Sequence, residues 1–115
     1  MINTTSDGVR TEKRTIDLGT TLAAITDTLS TKAVVESVHF VNKNGSARTV
    51  DLAKRVSATD SYYLKTHSIA GSTPYTFKDH VIVLEAGETL VALSSNASSI
   101  DVHVTYLQSS PSKPA

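Results

Sequence analysis

Four histidines, His39, His67, His80 and His103, are the side chains in this sequence best suited to acid–base work or metal ligation. His39 and His103 fall on the outward phase of two strongly apolar segments. With Asp101 they would form a metal site or an acid–base pair, were the fold to bring them together. No two of the four share a local ligand spacing such as His-x-x-x-His. In a chain this polar, histidines scattered over exposed strand faces are the plainer reading. The carboxylate pairs Asp51 with Asp60 and Glu85 with Glu88 have the composition for hydrolytic chemistry. Glu85 and Glu88 flank a turn glycine, Gly87, which points to solvated charge instead. Cysteine is absent, which excludes disulfides, thiolate metal sites and cysteine nucleophiles. There is no G-x-S-x-G elbow and no Gly-rich phosphate loop; Gly45, Gly71 and Gly87 stand singly at turn positions. The expectation is a non-enzymatic chain with no catalytic, cofactor-binding or metal-binding residue and no cofactor.

Binding chemistry gives two further candidates. Lys43, Arg48, Lys54 and Arg55 make the middle of the chain mildly basic, with Tyr62 and Tyr63 nearby, a combination that stacks single-stranded nucleic acid in other sandwiches. Eleven basic residues balance eleven acidic ones, however, and nucleic-acid domains usually carry a clear positive excess. No direct nucleic-acid role is expected. Tyr62, Tyr63 and Tyr75 would supply stacking faces for a sugar, so a carbohydrate-binding sandwich is the reading from another class.

The elements that must position these residues are strands. Fifteen serines and sixteen threonines stand against five glycines and three prolines, and no helical period persists. A chain of 115 residues makes one domain. Residues 1–14 are polar and read as an N-terminal arm, not as a signal peptide; no apolar run approaches the roughly 18 residues of a spanning helix, so no membrane partner is expected. Residues 15–29 carry both alternating and helical spacing, but five threonines favour a strand. Residues 32–41 form a strand whose phase breaks at Glu36, which predicts a bulge there. Asn44-Gly45 between two apolar runs predicts a hairpin, because both residues tolerate positive φ. Residues 47–52 follow as a strand, and Ser57–Ser61 as a polar stretch. Strands at Tyr62–Ile69 and Tyr75–Phe77 come next. His80–Leu84 is an apolar run short enough for a strand buried on both faces. Strands at Thr89–Ser94 and Ile100–Tyr106 complete the series. In the last, Ile100, Val102, Val104 and Tyr106 face the core and Asp101, His103 and Thr105 face water. Residues 109–115 read as a C-terminal tail. The prediction is an all-β fold: an antiparallel, jelly-roll-like β-sandwich of seven to eight strands over residues 15–108. The polar ends lack the apolar content to fold alone, and are expected to be tied down by neighbouring subunits.

The run Ala33-Val34-Val35-Glu36-Ser37-Val38-His39-Phe40-Val41-Asn42, followed by Gly45-Ser46-Ala47-Arg48-Thr49-Val50-Asp51-Leu52, resembles small β-sandwich virion proteins of tailed bacteriophages. So do Val81-Ile82-Val83-Leu84-Glu85-Ala86-Gly87-Glu88-Thr89-Leu90 and the closing Ile100-Asp101-Val102-His103-Val104-Thr105-Tyr106-Leu107. The resemblance covers about residues 22–108. It departs from the family pattern before the first of these strands, where Ser30-Thr31-Lys32 replaces a Pro-Ala-Gly-like turn. It implies a structural part of the virion, with capsid decoration (cement) favoured and a neck, head–tail connector or tail component as the alternative. The implied partners are the major capsid protein and further copies of this chain, as a homo-oligomer such as a trimer. The implied location is the capsid surface, after synthesis in the host bacterial cytoplasm.

Overall fold

The computed structural model describes residues 9–26, 31–78 and 81–109, with the side chains of residues 9, 10 and 109 excepted. Nine strands follow one another: β1 (Val9–Asp17), β2 (Ala23–Ala24), β3 (Ala33–Asn42), β4 (Arg48–Val56), β5 (Thr59–Ile69), β6 (Pro74–Phe77), β7 (Ile82–Leu84), β8 (Glu88–Ser94) and β9 (Ile100–Ser109). They form two antiparallel sheets. The larger has the order β1-β9-β3-β6, with β7 also paired to β3; the smaller has the order β2-β8-β4-β5. β6 pairs with the second half of β3 and β7 with the first half, so the two lie end to end as one interrupted strand. Counted that way, eight strands have jelly-roll order, the chain crossing between the sheets at every connection except the β4–β5 hairpin. The expected fold class holds.

The core lies between the sheets. Val38, Phe40, Val102, Val104 and Tyr106 come from one side and Val50, Leu52, Leu64, Leu90 and Ala92 from the other. β9 alternates as expected: Ile100, Val102, Val104 and Tyr106 are buried, and the residues between them are not. β3 keeps its apolar face inward through a register shift between Val35 and Ser37. The extra residue, Glu36, lets both Val35 and Val38 point into the core, as the broken phase required.

Four expectations are corrected. First, residues 9–14 are not an arm: they are part of β1, which pairs with β9 from Val9–Ser109 to Asp17–Asp101. β1 is held by its ladder with β9 and not by an apolar face: its half-buried positions are Glu12, Arg14 and Ile16, and inward-pointing charge of this kind is a feature of edge strands that made the segment read as an arm. Ser109, assigned to the tail, is the last residue of β9; residues 1–8 and 110–115 lie outside the described residues. Second, Asn44-Gly45 does not close a hairpin. β3 and β4 belong to different sheets, and neither residue has positive φ. Third, the local hairpin lies in the polar stretch instead. β4 and β5 turn through Ser57-Ala58, with Val56 opposite Thr59 and Ser57 at φ 56°. Fourth, the His80–Leu84 run is not buried on both faces. Ile82 and Leu84 are buried, Val83 is half-buried and Val81 is 77% exposed; His80 lies outside the described residues.

Asn42, at the end of β3, does the work that the absent hairpin would have done. Its buried Nδ2 donates to the carbonyls of Ser46, Ile69 and Ala70 at 3.0, 3.0 and 3.2 Å, and its Oδ1 accepts the Asn44 amide at 2.9 Å. It thus joins the β3–β4 loop to the β5–β6 loop. Gly71 sits where these loops touch: a Cβ there would collide with the Gly45 carbonyl.

Candidate functional site

The outer face of the larger sheet carries a polar row that runs across four strands. Thr15 of β1 is opposite His103 of β9, His103 is opposite His39 of β3, and His39 is opposite Thr76 of β6. The side chains are joined in the same order. Thr15 Oγ1 lies 3.0 Å from His103 Nδ1, the two imidazoles are 6.1 Å apart at their centroids and tilted by 39°, and Thr76 Oγ1 lies 2.6 Å from His39 Nδ1. The tautomer of each ring sets which partner donates. His103 is exposed and His39 half-buried. Both Nε2 atoms are without a hydrogen-bond partner among the described residues.

One step along the same face, Lys43 bridges Asp101 at 3.0 Å and Asp17 at 3.4 Å. The hydrogen bond to Asp101 is the chief reason the lysine is held above its ordinary pKa. Asp101, which the sequence placed beside the two histidines, is therefore engaged by a cation. Among the described residues no group of three or more metal-ligating side chains converges. His67 is remote from the row: it packs on Tyr75, with ring centroids 4.2 Å apart.

Asp51 and Asp60 are separated by the fold, each with its own partners. Asp51 is buried in β4 beside an irregularity in its pairing with β5. There its Oδ1 accepts the amide of Thr66, at φ 54°, at 2.7 Å, and its Oδ2 accepts from Lys65 at 3.1 Å. This carboxylate satisfies a backbone amide that the ladder leaves out. Its hydrogen bond is also the main cause that raises the Lys65 pKa. Asp60 instead meets Arg55 across the β4–β5 hairpin, with contacts of 2.7 and 3.1 Å. That hydrogen bond lowers the Asp60 pKa and raises that of Arg55. Glu88 closes the turn after β7: its Oε1 accepts the Glu85 amide at 2.9 Å, and Gly87 supplies the positive φ of 87°.

The basic residues do not gather into one patch. Lys43 and Arg55 are paired with aspartates as above, Lys54 lies 3.6 Å from Glu88, and Arg48 donates to Ser99 and to the Ala47 carbonyl. The tyrosines are divided as well. Tyr63 and Tyr75 pack against the core, Tyr63 beside Phe77, whereas Tyr62 is exposed with the Lys65 ammonium 4.7 Å from its ring centre. A cleft of about 290 Å³ opens where β6 ends and β7 begins, against the Glu36 bulge, with Phe77, Val81 and Ile82 on its walls. No helix among the described residues is long and apolar enough to cross a membrane.

The histidine–threonine row had no local signal in the sequence. His39 and His103 are 64 positions apart, and only the β3–β9 register makes them neighbours. Thr15 and Thr76 were invisible for the same reason.

No family model matches this sequence, and no curated protein does. Among solved structures, it is similar to a chain from Bacillus endospore appendages, described as a novel family of disulfide-linked pili. The likeness has a TM-score of 0.59 at 16% identity and covers 96% of each chain. It extends over the sandwich as a whole and supports the fold.

Proposed function

We propose that this chain is a non-enzymatic structural subunit of a tailed-phage particle, a capsid decoration protein that binds the assembled shell and stabilises contacts between capsomers. Support comes first from where the phage-like segments fall. They form β3, β4, the β7–β8 turn and β9, so the resemblance follows the framework of the sandwich. The observation that carries the reading is the position of β1. Among the described residues it is the end strand of its sheet, nine residues long, and pairs on one side with β9. A long edge strand presents a row of backbone donors and acceptors that a neighbouring subunit can pair with. Many weak contacts of this kind act together on a multi-copy shell. Binding the assembled shell and not its separate parts shifts the equilibrium toward assembly. The endospore pili are described as disulfide-linked; this sequence has no cysteine, so disulfides would not join its copies.

The test is to strip the protein from purified particles and add it back. Saturable binding to expanded shells, little binding to free capsid subunits, and a lower breakage temperature for stripped shells are expected. Stripped shells as robust as decorated ones would refute the cement role.

A further inference from the structure

We propose that the paired imidazoles of His39 and His103 form a two-ligand site for one divalent transition-metal cation of the zinc or nickel type, on the outer face of the larger sheet. The site goes beyond the structural role and does not depend on it.

Three observations carry the inference. The histidines are register partners on adjacent strands, so their side chains leave the same face side by side. A metal–nitrogen bond of about 2.1 Å puts a ring centre about 3.2 Å from the metal, and two rings in tetrahedral geometry about 5.2 Å apart. The observed 6.1 Å needs the rings to close by only about 1 Å, a movement that side-chain rotation supplies.

Each ring is also held at its other nitrogen. When Nδ1–H donates to the threonine hydroxyl, the lone pair falls on Nε2. A metal-binding histidine is usually fixed in this way, with its second nitrogen donating to an oxygen. Thr76 does this for His39 at 2.6 Å and Thr15 does it for His103 at 3.0 Å. Both Nε2 atoms are then open acceptors. Finally, Asp101, two residues before His103 on β9, is held by Lys43, and among the described residues no third ligand converges, so water completes the coordination shell. Imidazole-only donors favour zinc, nickel and copper over magnesium and calcium.

Calorimetric titration of the full chain with zinc chloride, repeated with nickel chloride, tests the site. One saturable site per chain is expected. His103→Asn and His39→Asn should each weaken it about tenfold or more. Thr76→Val, which removes only the oxygen behind His39, should weaken it about tenfold, in the range typical of outer partners of a metal ligand. His67→Ala should bind like the unaltered chain. His103 is exposed, so its variant is expected to keep the β-sheet circular-dichroism spectrum and to carry the test even if His39→Asn does not fold. Absence of saturable binding, or binding unchanged in His103→Asn, would overturn the proposal.

Discussion

Single polar side chains hold the loops and irregular pairings of this sandwich, and their removal has predictable costs. The two Nδ2 hydrogens of Asn42 are shared among three carbonyls, and its Oδ1 accepts an amide. Replacing it with alanine leaves buried acceptors unpaired, at about 1–3 kcal/mol for each buried group left unsatisfied. We predict that Asn42→Ala lowers the melting temperature by at least about 5 °C, measured by calorimetry. A melting temperature within a degree of the parent would show that water replaces the side chain freely. Asp51→Ala removes the acceptor of the Thr66 amide and should cost about 2 kcal/mol in urea unfolding, a value typical of hydrogen bonds to charged groups. These roles were hard to read in the sequence. Asn42 stands just before the Asn44-Gly45 turn signal, but its partners at Ile69 and Ala70 are supplied by a distant loop. Asp51 looked like half of a carboxylate pair because its true partner is a backbone amide in another strand.

At the level of elements, legibility followed the range of the interaction that decides the structure. β9 and the Glu36 bulge were legible because alternation, and its failure, are local. The β3–β4 connection was misread because Asn-Gly is a local turn signal, while the sheet that receives β4 is set by packing. The true hairpin was missed because Ser57-Ala58 contains no glycine, and Ser57 bears the positive φ itself. That residue pays a steric penalty that glycine would not. We therefore predict that Ser57→Gly raises stability by about 0.5 kcal/mol in denaturant unfolding, with no change in slope; a loss of stability would contradict the turn assignment. The Arg55–Asp60 pair closes the same hairpin and makes a pH prediction. The arginine lowers the Asp60 pKa below its ordinary value of 3.8. A carboxylate depressed by folding stabilises the native state above the ordinary value and loses that contribution as pH falls through the folded one. Asp60→Asn should therefore flatten the decline in melting temperature below pH 4. An equally steep decline in the variant would mean that the pair contributes nothing.

For the molecule as a whole, the place of β1 changes what truncation should do. Read as an arm, residues 1–14 could be deleted without harm to the fold. With residues 9–14 paired to β9, the same deletion strips six rungs from the sheet and exposes the flank of its central strand. We predict a clear drop in melting temperature; an unchanged one would show that β1 is dispensable. Val104→Asp places an unpaired charge in the core and should cost at least about 4 kcal/mol, enough to unfold the domain. The central claim concerns assembly, and the most direct measurement is the number of copies in a purified particle by quantitative mass spectrometry. Capsid decoration predicts copies on the scale of the major capsid protein, in the hundreds. A single ring of about six or twelve copies would place the chain at the neck or tail instead, and its absence from particles would contradict the account altogether.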